Sequence, residues 1–130
     1  MTRRLFALAL LTLGLLLPAF PAAAAELIMF RRAGCPYCAA WDRTIGPIYP
    51  RTDLSRRAPL RLIDLDHDPS PRVRLKAPVR FTPTFVLVSD GREIGRIEGY
   101  AGEDFFWALL EKLMLKLPAT VSGRAPATAL

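Results

Sequence analysis

The chain holds two cysteines, Cys35 and Cys38, with Pro36 and Tyr37 between them. As a structural staple the pair would do little. Closing four residues restricts the unfolded chain by roughly 2 kcal/mol, against ~3 kcal/mol for a 15-residue loop. The spacing suits redox chemistry better. If a helix starts near Cys35, both sulfurs lie on one face and can close a small, reducible ring. Cys35 then sits at the helix N-terminus, where unpaired N–H groups and the dipole stabilise a thiolate. Pro36 supports that start, because proline is favoured in the first helical turn. Cys35 is thus the expected nucleophile, attacking a partner disulfide to form a mixed disulfide. Cys38, one turn deeper, is the expected resolving thiol. An inert pair of core thiols is the plainer alternative. Tyr37 reads either as a residue that tunes the ring and meets the partner or as an exposed aromatic. Arg31 and Arg32 read either as cations that favour the thiolate or, the stronger expectation, as a solvated loop pair.

A metal reading is weaker. Cys35, Cys38 and His67 could form a soft-metal site, but a proline between the cysteines argues against it. Asp64-Leu65-Asp66-His67-Asp68 lacks the Gly and Glu of a calcium loop and reads as a solvated turn. The expectation is no metal and no organic cofactor.

The elements around the cysteines follow from patterning. Residues 26–30 are a short apolar strand. Trp41, Ile45 and Ile48 form the stripe of a helix that Gly46-Pro47 should kink and Pro50 should end. Residues 51–59 read as a polar connection, 60–65 as a second strand, and 71–76 as a short helix. Residues 84–88 are almost wholly apolar, as in a strand covered on both faces. Asp90-Gly91 makes a hairpin turn to an antiparallel strand at 93–98, with a bulge near Gly95 because Ile94 and Ile97 are out of phase. Glu103 and Asp104 open a last helix whose stripe is Phe106, Leu109, Leu110, Leu113 and Leu117. Phe105, Phe106 and Trp107 read as core. The order is β-α-β-α-β-β-α.

The N-terminus reads as an address. Arg3 and Arg4 precede a Leu/Ala-rich uncharged run at 5–17, and Ala22 to Ala25 offer a small-residue cleavage site, the grammar of a secretory signal peptide. Thr-Arg-Arg-Leu-Phe weakly resembles a twin-arginine signal, but the Leu-dense run suits the general route. Residues 5–25 are also long enough to serve as an uncleaved anchor. The expected organisation is a signal peptide at 1–25, one domain at 26–117 and a flexible tail at 118–130. The chain carries 18 Lys+Arg against 12 Asp+Glu; losing Arg3 and Arg4 leaves 16 against 12, a net +4. The basic residues are scattered, without interleaved aromatics, so nucleic acid is not an expected partner. At 52% hydrophobic the chain is not a disordered one.

This order, with a C-x-x-C after the first strand and Phe81-Thr82-Pro83-Thr84-Phe85 before the third, resembles the thioredoxin superfamily. The resemblance implies an α/β thioredoxin-like fold, a four-stranded mixed sheet with flanking helices, and a cis Pro83. Gly34-Cys35-Pro36-Tyr37-Cys38-Ala39 and Gly99-Tyr100-Ala101-Gly102-Glu103-Asp104-Phe105-Phe106-Trp107 resemble, more closely, the periplasmic thioredoxins of the bacterial sulfur-oxidation (Sox) system. That similarity implies a protein-disulfide reductant that keeps a sulfur-carrier protein's cysteine free, supplied with electrons by a membrane thiol transporter. It also implies that Pro36, Tyr37, Thr82, Pro83 and Gly99 meet the substrate, with Gly99 allowing close approach. The rival activities are a disulfide oxidase or isomerase and a metal-binding C-x-x-C module. Three departures stand out. Pro-Tyr fills the ring, as in glutaredoxins. Met29 replaces the buried acid of typical thioredoxins, and Arg43 replaces their helix-kinking proline.

Overall fold

The computed structural model describes residues 25–68 and 72–118. Residues 1–24 of the expected signal peptide and 119–130 of the expected tail lie outside them. Four strands, β1 (Ala25–Arg31), β2 (Leu60–Asp64), β3 (Thr84–Ser89) and β4 (Arg92–Glu98), form one mixed sheet in the order β2-β1-β3-β4. β1 and β2 run parallel; β1–β3 and β3–β4 run antiparallel. Helix α1 (Pro36–Thr44) follows β1, α2 (Asp53–Arg57) precedes β2, and α3 (Glu103–Met114) ends the domain.

The central strands are buried on both faces, which explains their unbroken apolar runs. One face carries Leu27, Met29, Phe85 and Leu87 against Trp41 of α1, Ile45 at its C-cap, and Phe106 and Leu110 of α3. The other carries Ile28, Phe30, Ile63, Val86 and Val88, covered by Val73, Leu75 and Val79. Alternate residues along each strand divide between the two clusters, as the pleat requires. The expected bulge is present: Leu87 pairs with Gly95 but Val88 pairs with Glu93, which leaves Ile94 extra.

Several expectations are corrected. The connection at 51–59 contains α2, capped by the Thr52 side chain, which accepts the Ser55 N–H at 3.1 Å. No helix appears among the described residues of 71–76. There the chain bends through a single bridge between Arg74 and Arg92, with Val73 and Leu75 packed toward the sheet. The helix therefore sits before β2, and the order is β-α-α-β-β-β-α. α1 ends at Thr44, ahead of Gly46-Pro47, because the residue before a proline is driven from helical geometry. Beyond that end Ile48 turns outward, and Tyr49 takes the core position, its hydroxyl donating to the Ala58 carbonyl at 2.6 Å. On α3, Phe105 is 65% exposed and Leu109 is exposed too, since both lie off the face that buries Phe106, Leu110 and Leu113.

Candidate active site

The loop from β1 to α1 delivers the cysteines to the end of the sheet. Gly34 has φ +71, the left-handed turn that aims the chain into the helix, and a Cβ there would meet nothing within 4 Å. Cys35 is the N-cap of α1 and Pro36 stands in its first turn. The Cys35 sulfur accepts the Cys38 N–H at 3.1 Å, so one of the helix's unpaired donors points directly at it. Cys35 is half-buried, whereas Cys38 is 1% exposed, packed in the core cluster that includes Met29, Trp41 and Phe85. The two sulfurs are joined in a disulfide, with the Cα atoms 5.3 Å apart.

The second motif meets the first across the sheet end. The Thr82–Pro83 peptide bond is cis. The Thr82 carbonyl oxygen lies 3.4 Å from the Cys35 sulfur, close enough to accept from the thiol when the pair is reduced. Thr84 Oγ1 donates to the Phe81 carbonyl at 2.8 Å, and the Gly99 N–H donates to the Pro83 carbonyl at 2.7 Å. Gly99 has φ +83 and open space around its Cβ position. Its glycine is thus required by backbone conformation, not by close approach of this chain. Tyr37 and Phe81 are each 62% exposed, while Pro83 is buried and Thr82 half-buried.

The arginines are committed elsewhere. Arg31 grips Asp42 of α1 through two bonds of 3.0 and 2.7 Å. Arg32 reaches Asp66 at 2.9 Å, and the other oxygen of Asp66 accepts the Ala33 N–H at 3.2 Å. They are neither free cations on the sulfur nor simply solvated; they tie the cysteine loop to α1 and to the turn after β2. The same turn absorbs the candidate calcium acids: Asp64 accepts the Asp66 N–H at 2.9 Å and holds His67 at 3.1 Å. That backbone bond foremost, with His67 beside it, lowers the Asp64 pKa. Among the described residues, no group of three His, Cys, Asp or Glu is placed to hold a metal ion.

Asp42 carries no motif mark in the sequence, while Asp66 enters it only as part of a candidate metal turn and Phe81 only as part of the Thr-Pro motif. Asp42 lies four residues after Cys38, and Phe81 is an aromatic directly ahead of the Thr-Pro pair. Those positions were the available signals. An open pocket of about 370 Å³ lies beside Cys35, lined by Arg31, Arg32, Gly34, Pro36 and Asp64 among others.

Comparison with known proteins fits this geometry. A family model described as a thioredoxin-like domain matches residues 23–114. The crystal structure of the periplasmic thioredoxin SoxS from Paracoccus pantotrophus, in its reduced form, is 48% identical. That match covers 71% of this chain and 97% of that one, with a TM-score of 0.67. A thioredoxin mutant from Halobacterium salinarum (24% identity, 74% and 80% of the two chains, TM-score 0.52) shares the fold. So does the thioredoxin of Malassezia sympodialis (20%, 70% and 76%, 0.51). No curated protein sequence matches the chain. With its C-x-x-C disulfide at the start of α1 and a cis-proline loop against it, the chain belongs to the thioredoxin-like family and is a thiol–disulfide oxidoreductase.

Proposed function

We propose that this oxidoreductase works in the periplasm as a reductant of protein disulfides, needing no metal or organic cofactor. One observation carries the direction of attack. The Cys35 sulfur is the accessible one and sits on the N-terminus of α1, while Cys38 is enclosed in the core. In the reduced protein the Cys35 thiolate attacks a partner disulfide; one partner sulfur leaves and a mixed disulfide remains. The Cys38 thiolate then attacks the Cys35 sulfur, expels the second partner sulfur and closes the Cys35–Cys38 disulfide. Two electrons and two protons pass to the partner. An extended partner segment lies along Thr82 and Pro83, with its flanks on Pro36, Tyr37 and Gly99.

The likeness to a periplasmic thioredoxin named SoxS, together with the signal-peptide grammar of residues 1–25, supports the periplasmic reading. It also supports a partner: the sulfur-carrier complex of a Sox system, kept active through its carrier cysteine. A membrane thiol transporter renews the dithiol. Substituting Cys38→Ser tests the partner, because no second sulfur then expels what Cys35 has captured. The trapped species should be dominated by the sulfur-carrier complex, linked through its carrier cysteine. Recovery of a broad set of newly exported chains would instead mark a disulfide oxidase.

A further inference from the structure

The sheet has two ends, and only one holds the cysteines. Phe30 pairs with Thr84 and Thr84 with Glu98 at the redox end. At the other end Ala25 pairs with Ser89 and Ser89 with Arg92. Strand rise puts the two ends ~20 Å apart. Beside the far end, Arg72, Arg74 and Arg92 line an open basin of about 670 Å³, with Asp90 as the sole acid in its lining.

Their arrangement is not what stability alone would select. Arg74 and Arg92 face each other in a parallel bridge, held by the Arg74 N–H to the Gly91 carbonyl and the Glu93 N–H to the Arg74 carbonyl, both at 3.0 Å. Like charges directly opposite are destabilising. All three arginines are exposed, and among the described residues none makes an ion pair or a side-chain hydrogen bond. Arg31, Arg32, Arg61 and Arg96, by contrast, are each paired with a carboxylate.

We propose that this end of the domain is a docking surface for an anionic lipid bilayer, seated so that the Cys35–Cys38 end faces away from the membrane. The occupant follows from chain direction. The uncharged run at 5–25 leads straight into β1, whose first residue, Ala25, stands at this same end opposite Ser89. A chain whose apolar N-terminal run engages a bilayer presents the three arginines to its headgroups and holds the redox site outward. The inference takes residues 5–25 as the uncleaved anchor that their length allows, not as a removed signal peptide, and it does not depend on the partner reading above.

The test uses the full 130-residue chain and vesicles of phosphatidylcholine alone or with 30% phosphatidylglycerol, measured by co-sedimentation in 0.1 M salt. Each arginine close to an anionic surface adds about fivefold in partitioning. The preference for the anionic vesicles should fall at least tenfold in the R72Q/R74Q/R92Q variant, while binding to phosphatidylcholine stays unchanged. Reduction of a soluble disulfide should proceed at the same rate with the protein bound. A charge-matched control, R43Q/R80Q/K112Q, should keep the preference. An equal loss in that control, no anionic preference in the unmodified chain, or loss of activity on the vesicle would each overturn the proposal.

Discussion

Replacing Glu93 by glutamine tests how the segment leading to Thr82 and Pro83 is held. The Glu93 side chain is 2% exposed and its carboxylate accepts three bonds. Two come from Arg96 at 2.7 Å each and one from the Lys76 N–H at 2.8 Å. Arg96 also donates to the Ala77 carbonyl at 2.7 Å, and Lys76 Nζ to the Ile94 carbonyl at 2.9 Å. β4 thereby clips residues 76 and 77 shortly before the active-site loop. Glutamine keeps the shape but removes the charge and turns an N–H₂ toward a donor. A hydrogen bond to a charged group contributes about 1.5–3 kcal/mol, and breaking a buried pair costs about 3–5 kcal/mol. Arg96 keeps the Ala77 carbonyl, and Glu98 lies 3.5 Å from it, so the arginine's charge is not left unpaired and the smaller, hydrogen-bond range applies. The expected loss is about 2 kcal/mol, or about 8–16 °C in Tm for a domain of this size.

The pH dependence of that loss has a definite sign. Hydrogen bonding from Arg96 holds the folded-state Glu93 pKa below its usual value. A group lowered on folding contributes fully above its unfolded pKa, ~4.3, and loses that contribution as pH falls through the folded value. Thermal and urea unfolding should therefore show the full gap between the two proteins at pH 7 and a narrowing gap below about pH 4. Equal stability at pH 7, or a gap undiminished in acid, would refute the clip.

Three further outcomes follow from the site. Limiting iodoacetamide at pH 6–7, mapped by mass after reduction, should label Cys35 first, because it alone is accessible and on the helix terminus; preferential labelling of Cys38 would reverse the roles. Asp42→Asn should cost about 1 kcal/mol and, by releasing Arg31 beside the pocket at Cys35, speed alkylation of Cys35 severalfold at pH 6; an unchanged rate would show that the arginine does not act on the sulfur. Phe81→Ala should leave stability within about 0.5 kcal/mol, since the side chain is exposed, yet raise KM for a protein disulfide; an unchanged KM would remove Phe81 from the substrate surface.

The parts of the molecule legible in the sequence are those where one side chain's environment repeats at a fixed period. β1, β3 and α3 carry long apolar patterns, and Ile94 with Ile97 betrayed the bulge because a slipped phase leaves no other solution. α2 was missed because a five-residue helix that buries none of its residues has no stripe to read; its capping Thr52 and Asp53 were the only marks. The helix expected at 71–76 failed for a related reason. Val73 and Leu75 alternate with Arg74 and Lys76, a period of two, and their burial depends on a sheet face supplied by distant strands. Within the site, Cys35, Pro36 and Cys38 are marked by type and spacing, whereas Thr82 and Pro83 are marked only by the resemblance to the thioredoxin superfamily. The partners of Arg31 and Arg32 were not, since Asp42 and Asp66 reach them only once α1 and the turn after β2 are in place.

The direction of electron flow in the cell is the central claim, and the steady-state redox form of Cys35 and Cys38 tests it most directly. Cells quenched in acid and labelled with a mass-tagged maleimide should yield the protein predominantly as the dithiol, shifting to the disulfide when the membrane thiol transporter is deleted. A protein found as the disulfide in unmodified cells, and unmoved by that deletion, would contradict the reductant and identify an oxidase.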